Sequence, residues 1–408
     1  MSDNQPEFSR FLGASALVLG AGIAAVMAFV VVVDPYGLYD LVGSTGFNAV
    51  KPGLSRYQAE IKQVRAQRMN PDFVILGNSR AEIGFDPQAS AFRAAGGRGY
   101  NLAIPGSGID TSMRQMAQLQ AAGITPKTVI LGVEFLDFLR NTATPPAAVA
   151  KPAVVPTGPS YWQFDTLFSL ASVKDAIRTL RIQNDDEAIT TAIDGFNPLK
   201  EYRGYVRDDG YYKIFQQRAH ENSLSFRRKS TTALAPGDLQ RLHAFLQATS
   251  ASNADVKLVI YPYHAQILAM FEVAGLWPLF EEWKRQLVAA VAEATRNNPG
   301  LSITLLDFSG FGPYNCERIP DAGEVRAATQ WYWEGGHFKK ELGDIVLARV
   351  MSEPAPLIEA RAFGTRLEAG SVLANAERIA AERRACAATY PGMFKTARKL
   401  MATALAGS

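Results

Sequence analysis

Ser79 stands in Gly77-Asn78-Ser79-Arg80, directly after the apolar run Asp72-Phe-Val-Ile-Leu76. A serine hydroxyl attacks a carbonyl efficiently only when a base takes its proton. The chain has four histidines, His220, His243, His264 and His337. His337 closes the segment Trp331-Tyr-Trp-Glu-Gly-Gly-His337, and Glu334 precedes it by three residues, a spacing that lets the carboxylate reach the imidazole across one turn. That carboxylate would hold the ring in the tautomer that accepts the serine proton. A Gly-x-Ser turn by itself reads first as a helix N-cap; the base and the acid are what make Ser79 a nucleophile. The expected catalytic set is therefore Ser79, His337 and Glu334, and the expected chemistry is acyl transfer or ester hydrolysis. If a helix starts at Ser79, its first backbone N–H groups face the developing oxyanion. His243 has charged helical neighbours and reads as solvated, and His220 falls in a long insertion with no clear role.

Bringing residues 79 and 337 together requires a fold that gathers strand ends. Five apolar runs, Asp72–Leu76, Tyr100–Ile104, Lys127–Leu131, Val256–Tyr261 and Leu301–Leu306, each stop at Gly, Pro or Asp. Helical patterns such as Thr111–Ala122 and Trp277–Arg296 lie between them. The alternation predicts an α/β class fold, three layers α/β/α around a five-stranded parallel sheet, with the strand order left open. Such sheets bind ligands beyond the carboxyl ends of their strands. Tyr261-Pro-Tyr-His264 ends the fourth run, so His264 is expected at the same crevice edge, binding substrate or serving as a structural histidine. Trp331, Tyr332 and Trp333, with Tyr211 and Tyr212, would suit stacking on sugar rings or packing in the core. Trp333 is the substrate-binding candidate among them.

The sequence from Phe11 to Val33 carries no charge and would form a helix of roughly 34 Å, long enough for a bilayer core of about 30 Å. An uncleaved anchor is expected; Val26 and Ala28 would suit a signal-peptide cleavage site, but the apolar run continues past them. Residues 1–10 would then be a cytoplasmic tail with Arg10 as its basic residue, and the bulk of the chain would lie outside the cytoplasm. Residues 34–70 read as a juxtamembrane segment whose helix, Leu54–Met69, sets Arg56, Lys62, Arg65 and Arg68 on polar positions. Residues 71–353 would form the main domain, interrupted at about 140–234 by an insertion. The insertion opens on Pro145, Pro146, Pro152, Pro156 and Pro159, continues as an amphipathic helix over Tyr161–Ile182, and ends in an aromatic, charged stretch over Tyr202–Phe226. It is expected to cap the site or to face the membrane or a partner. Residues 354–408 form a helical extension, Leu367–Ala388 and Phe394–Leu405, packed along the domain or lying on the membrane surface.

A formal net charge of +3 with no block of Lys or Arg argues against nucleic acid as a partner. The two cysteines, Cys316 and Cys386, either pair, closing a loop worth about 4 kcal/mol, or are separate thiols. Their spacing fits no metal site, and neither a metal nor an organic cofactor is expected.

These blocks resemble, in order and setting, the SGNH/GDSL superfamily of hydrolases and acyltransferases. Gly77-Asn78-Ser79 is similar to its first block, Asn101-Leu-Ala-Ile-Pro-Gly106 to its second, and Glu334-Gly-Gly-His337 to its last, with Glu where Asp is more frequent. The resemblance implies a flavodoxin-like sheet and oxyanion donors at Ser79 N–H and Gly106 N–H; Asn78, Asn101 and Glu134 are expected to contact substrate. One block departs. Where the superfamily has Gly-x-Asn-Asp, this chain has Gly132-Val-Glu134-Phe135. A carboxylate at Glu134 cannot donate to an oxyanion, and a lost donor costs about 2.7–4 kcal/mol in the transition state. The long chain, the single span and its Asp34-Pro35-Tyr36-Gly37 exit resemble a looser branch similar to the alginate O-acetylation proteins and the D-alanine transfer protein of Gram-positive walls. That branch implies an envelope glycan as acyl acceptor, a membrane-bound O-acyltransferase as partner, and a bacterial inner-membrane location with the main domain in the periplasm. The leading expectation is a serine O-acyltransferase or esterase on an envelope polysaccharide. The alternatives are a polysaccharide-binding or scaffold subunit without turnover, and an esterase directed at lipid.

Overall fold

The structure is a computed structural model that describes residues 5–141, 161–229, 232–250, 253–352 and 363–406. The Pro145–Pro159 connector lies outside them. The chain opens with the apolar helix α1 (Gln5–Val33), followed by α2 (Gln58–Met69) and the first core strand β1 (Phe73–Leu76). Two short helices, α3 (Ser79–Gly84) and α4 (Ser90–Ala94), lead to β2 (Gly99–Asn101), α5 (Ile109–Ala121) and β3 (Thr128–Val133). The insertion comprises β4 (Leu139–Asn141), α6 (Tyr161–Leu167), α7 (Leu170–Arg181), α8 (Tyr202–Lys229) and β5 (Thr232–Leu234). After α9 (Pro236–Ser250) come β6 (Asp255–Ile260), α10 (Ala265–Val273), α11 (Trp277–Asn297) and β7 (Ile303–Asp307). A hairpin, β8 (Tyr332–Glu334) with β9 (His337–Phe338), precedes α12 (Lys340–Val350). The extension contributes β10 (Thr365–Arg366), α13 (Val372–Thr389) and α14 (Pro391–Ala406).

The main sheet has the order β10-β7-β6-β3-β1-β2. All five apolar runs form its parallel strands. The sheet is mixed and six-stranded, however, not five-stranded and parallel, because β10 adds antiparallel to β7 at one edge. Periodicity could not announce a strand of two residues. Every residue of β1 and β3 is buried. Since alternate strand residues face opposite sides, both faces of the sheet are covered.

The extension belongs to the same core. Asn375 of α13 donates to Asp307 at the end of β7 at 2.8 Å, and Cys316 is disulfide-bonded to Cys386. Phe394, Ala397 and Met401 of α14 are buried. The stretch read as one helix over Tyr161–Ile182 is two, since Ser169 stops the first and caps the second in a reciprocal capping box with Ser172. Lys62 and Arg65 are not on a polar face. Both are buried, Lys62 against Glu82 at 2.7 Å and Arg65 on the Tyr36 carbonyl at 2.6 Å.

At the other end, Phe8–Val33 is long and apolar enough to cross a membrane.

Candidate active site

β1 carries the chain to Ser79 through a tight turn. Gly77 has φ +137°, and a Cβ there would meet the Tyr261 hydroxyl at 2.3 Å, so only glycine fits. Asn78 is the N-cap of α3; its side-chain oxygen accepts the Arg80 N–H at 3.1 Å. Asn101 is wholly buried beneath this helix, and its amide donates to the carbonyls of Ala81 and Phe85, each at 2.8 Å. The Lys62–Glu82 ion pair pins α3 from the side, and Lys62 also donates to the Ala103 carbonyl at 2.7 Å. The Asn101 side chain is thus committed to protein partners, as is the side-chain oxygen of Asn78. They position Ser79, and the substrate contact expected of the Asn101 side chain is excluded by its burial.

Glu334 and His337 come from the β8–β9 hairpin, paired across Gly335-Gly336. The spacing of three is therefore that of a hairpin, not of a helical turn. His337 Nε2 is 2.8 Å from Ser79 Oγ, and His337 Nδ1 is hydrogen-bonded to Glu334 Oε1. The other Glu334 oxygen accepts the Gly336 N–H at 2.6 Å. The side chain of Glu334 is 1% exposed, that of His337 24%, and Ser79 is half-buried. Burial pushes the Glu334 carboxyl up, but His337 beside it, that hydrogen bond and the Gly336 N–H together hold it below its ordinary value. The acid stays ionised. With Nδ1–H given to Glu334, Nε2 presents a lone pair to the serine hydroxyl.

The turn Ile104–Ser107 is tied to the end of β1: Ile104 N–H and Ser107 Oγ donate to the Gly77 carbonyl at 3.0 and 3.4 Å. Pro105 and Gly106 occupy its centre, Gly106 with φ +69° as a type II turn demands. Asn78, Ser107 and Glu134 line one cavity of about 20 Å³. Glu134 is buried, accepts the Tyr263 hydroxyl at 2.9 Å and is ion-paired with Arg80 Nη1. The Arg80 guanidinium lies over the Tyr263 ring at 5.1 Å, and its buried Nε has no partner. Its Nη2 is 3.8 Å from the point a Cβ on Gly336 would occupy, beside the acid–base hairpin.

No family model, curated protein or solved structure matches the chain.

His264 does not line the crevice. It is fully buried between the rings of Phe215 and Tyr332. Its Nδ1 accepts the Gln266 N–H at 3.2 Å, so Nε2 carries the proton and donates to the Glu317 carbonyl at 3.0 Å. Burial lowers its pKa to about 4. The Glu317 carboxylate in turn holds the N–H groups of Trp331 and Tyr332, so His264 supports the strand that carries Glu334. Trp333 is half-buried against Tyr202 of α8 with Lys339 Nζ 4.9 Å from its ring, and Tyr211 is buried beneath the same lysine at 4.6 Å. Tyr212 is exposed. The α8 part of the insertion thus packs over the hairpin. Sequence reasoning missed Arg80, whose one signal was adjacency to Ser79. Among the described residues, no group of three or more His, Cys, Asp or Glu could hold a metal.

Proposed function

We propose that this chain is a membrane-anchored, SGNH-like serine acyltransferase or esterase acting on O-acyl groups of an envelope or extracellular polysaccharide, with its main domain in the periplasm. The observation that carries the reading is the Ser79 Oγ to His337 Nε2 distance of 2.8 Å with ionised Glu334 on the far nitrogen. Serine and histidine 258 residues apart meet in the geometry that acyl transfer needs. The polysaccharide and a membrane-bound O-acyltransferase partner rest on the resemblance of the motif blocks.

In this reading Ser79 Oγ bonds to the acyl carbon while His337 Nε2 takes the hydroxyl proton and Glu334 stabilises the imidazolium. The tetrahedral intermediate collapses as its carbon–oxygen bond to the leaving alcohol breaks, and His337 returns the proton to that alcohol. A sugar hydroxyl or water, deprotonated by the same imidazole, then attacks the acyl-serine and frees Ser79. The N–H groups of Ser79 and Gly106 would hold the oxyanion. Arg80, aimed by Glu134 and Tyr263, would take the place of the donor that Glu134 cannot supply.

The test is covalent labelling of the full chain in detergent with a fluorophosphonate, read by intact mass. An adduct on Ser79, absent from Ser79→Ala, is expected, and so is release of acetate from an acetylated polysaccharide by the unlabelled protein but not by the labelled one. A folded protein that takes no label would overturn the enzyme in favour of a binding or scaffold subunit.

A further inference from the structure

The last turns of α1 are built into the body of the protein. Val30 and Val33 are fully buried against Val173 and Ala176 of α7, with Phe29 and Phe47 beside them. The exit from the helix is locked as well. Asp34, in the left-handed region with φ +49°, accepts the N–H groups of Leu38, Tyr39 and Asp40 at 2.7, 3.1 and 3.0 Å. Lys51 Nζ donates to the Asp34 carbonyl at 2.7 Å, and the Asn48 amide donates to the carbonyls of Val33 and Val42 at 3.2 and 2.6 Å. No swivel separates the apolar helix from the domain.

Around α7, at about 100° per residue, the surface changes in an ordered way. Ser172, Thr179 and Ala176 are buried, and Ala176 and Val173 meet α1. Leu180, Ile177 and Leu170 come next, all exposed, Leu170 by 73%. Beyond them stand Arg181, Lys174 and Arg178, also exposed. The apolar stripe therefore continues outward from the α1 contact and is edged by basic groups. Tyr161 and Phe164 on neighbouring α6 are 75% and 58% exposed, and Leu41 in the α1 exit loop is 67% exposed.

The position of this surface follows from length. Phe8–Val33 has 26 residues, a helix of about 39 Å against a hydrocarbon core of about 30 Å. When the span is centred, its final turn rides at the headgroup level, and α7 is clasped to that turn. An apolar stripe bordered by Lys and Arg is what an interfacial helix presents to anionic lipid. We propose that α6, α7 and the Leu41-Val42 loop form a collar embedded in the surface of an anionic bilayer, so that the domain sits on the membrane in one orientation instead of swinging on a tether. This rests on reading α1 as an uncleaved span.

The test uses the full chain in vesicles containing phosphatidylglycerol, with Leu170→Cys carrying an environment-sensitive fluorophore. Both native cysteines are bonded to each other, so the introduced thiol is the one available to the label. Leu373→Cys on α13, an equally exposed position, is the control. Expected are a blue-shifted label at 170, quenched several-fold more by lipids with brominated acyl chains than the label at 373, and shielded from aqueous iodide. Replacing Lys174, Arg178 and Arg181 by Gln should reduce that quenching in anionic vesicles. A water-exposed label at 170, in a chain whose intact mass retains residues 11–33, would overturn the collar alone. A mass lacking those residues would overturn the anchor and the collar with it.

Discussion

Gly343 of α12 lies so close to Gly84 of α3 that a Cβ on Gly343 would sit 1.7 Å from the Gly84 carbonyl oxygen. Gly84 is in turn covered by the Phe338 ring, which a Cβ on Gly84 would meet at 1.9 Å. These contacts press the element after His337 onto the helix that starts at Ser79. Gly343→Ala should push α12 and β9 away from α3, cost about 1–3 kcal/mol of stability, and slow fluorophosphonate labelling of Ser79 far more than a surface Gly→Ala at Gly323, where the backbone is not left-handed and nothing lies within 4 Å of the added Cβ. Labelling rates and denaturant midpoints of the two variants check this.

On the proposed mechanism Glu334 acts through His337, so removing its charge while keeping its shape should leave the fold intact and silence the base. For Glu334→Gln the expectation is a fall in kcat on the order of 10⁴-fold. Ester turnover measured beside an unchanged thermal transition is the check, and near-normal turnover would remove Glu334 from the mechanism.

Arg80 is expected to act in the transition state. Arg80→Ala should lower kcat by about 10²–10³ with little change in KM, the loss of one oxyanion donor. Arg80→Lys, which keeps charge but loses the fork held by Glu134, should recover only part of it. Equal losses in both variants, tracking a loss of stability, would assign Arg80 to holding the structure together through Glu134.

His264 gives the fold an acid-sensitive support. Its pKa is about 4 in the folded protein and about 6.5 when unfolded, so between these values the unfolded chain binds a proton that the folded chain refuses. Stability from this group is therefore complete above about pH 6.5 and is lost as the pH falls toward 4. Lowered Glu334 adds a loss of the same sign at still lower pH, as its carboxylate is protonated. Urea midpoints should drop across that window, and His264→Gln should flatten the slope while lowering stability at pH 7.

The Cys316–Cys386 bridge closes a separation of 70 residues. Reduction, or Cys386→Ser, should cost about 4 kcal/mol. Cys316→Ser should cost the same, and the double variant no more than either, since both remove one bond. Thermal unfolding with and without reductant checks this.

The three side chains that meet at Ser79, and the strands of the main sheet, were legible in the sequence. Alternation of apolar runs with helical patterns is a local record of burial, and all five runs became parallel strands. The Ser79, His337 and Glu334 side chains and the apolar length of Phe11–Val33 could be read for the same reason: each depends on residue type and short spacing. Partners distant in sequence could not be read. Glu134 stood as a departure from the resembled block, and packing sets Arg80, 54 residues earlier, against it. Lys62 looked solvated until Glu82 met it inside the protein, and His264 looked like a crevice residue until α8 and β8 closed over it. A charged or polar side chain is compatible with water or with one buried partner, and only the tertiary structure decides which it has.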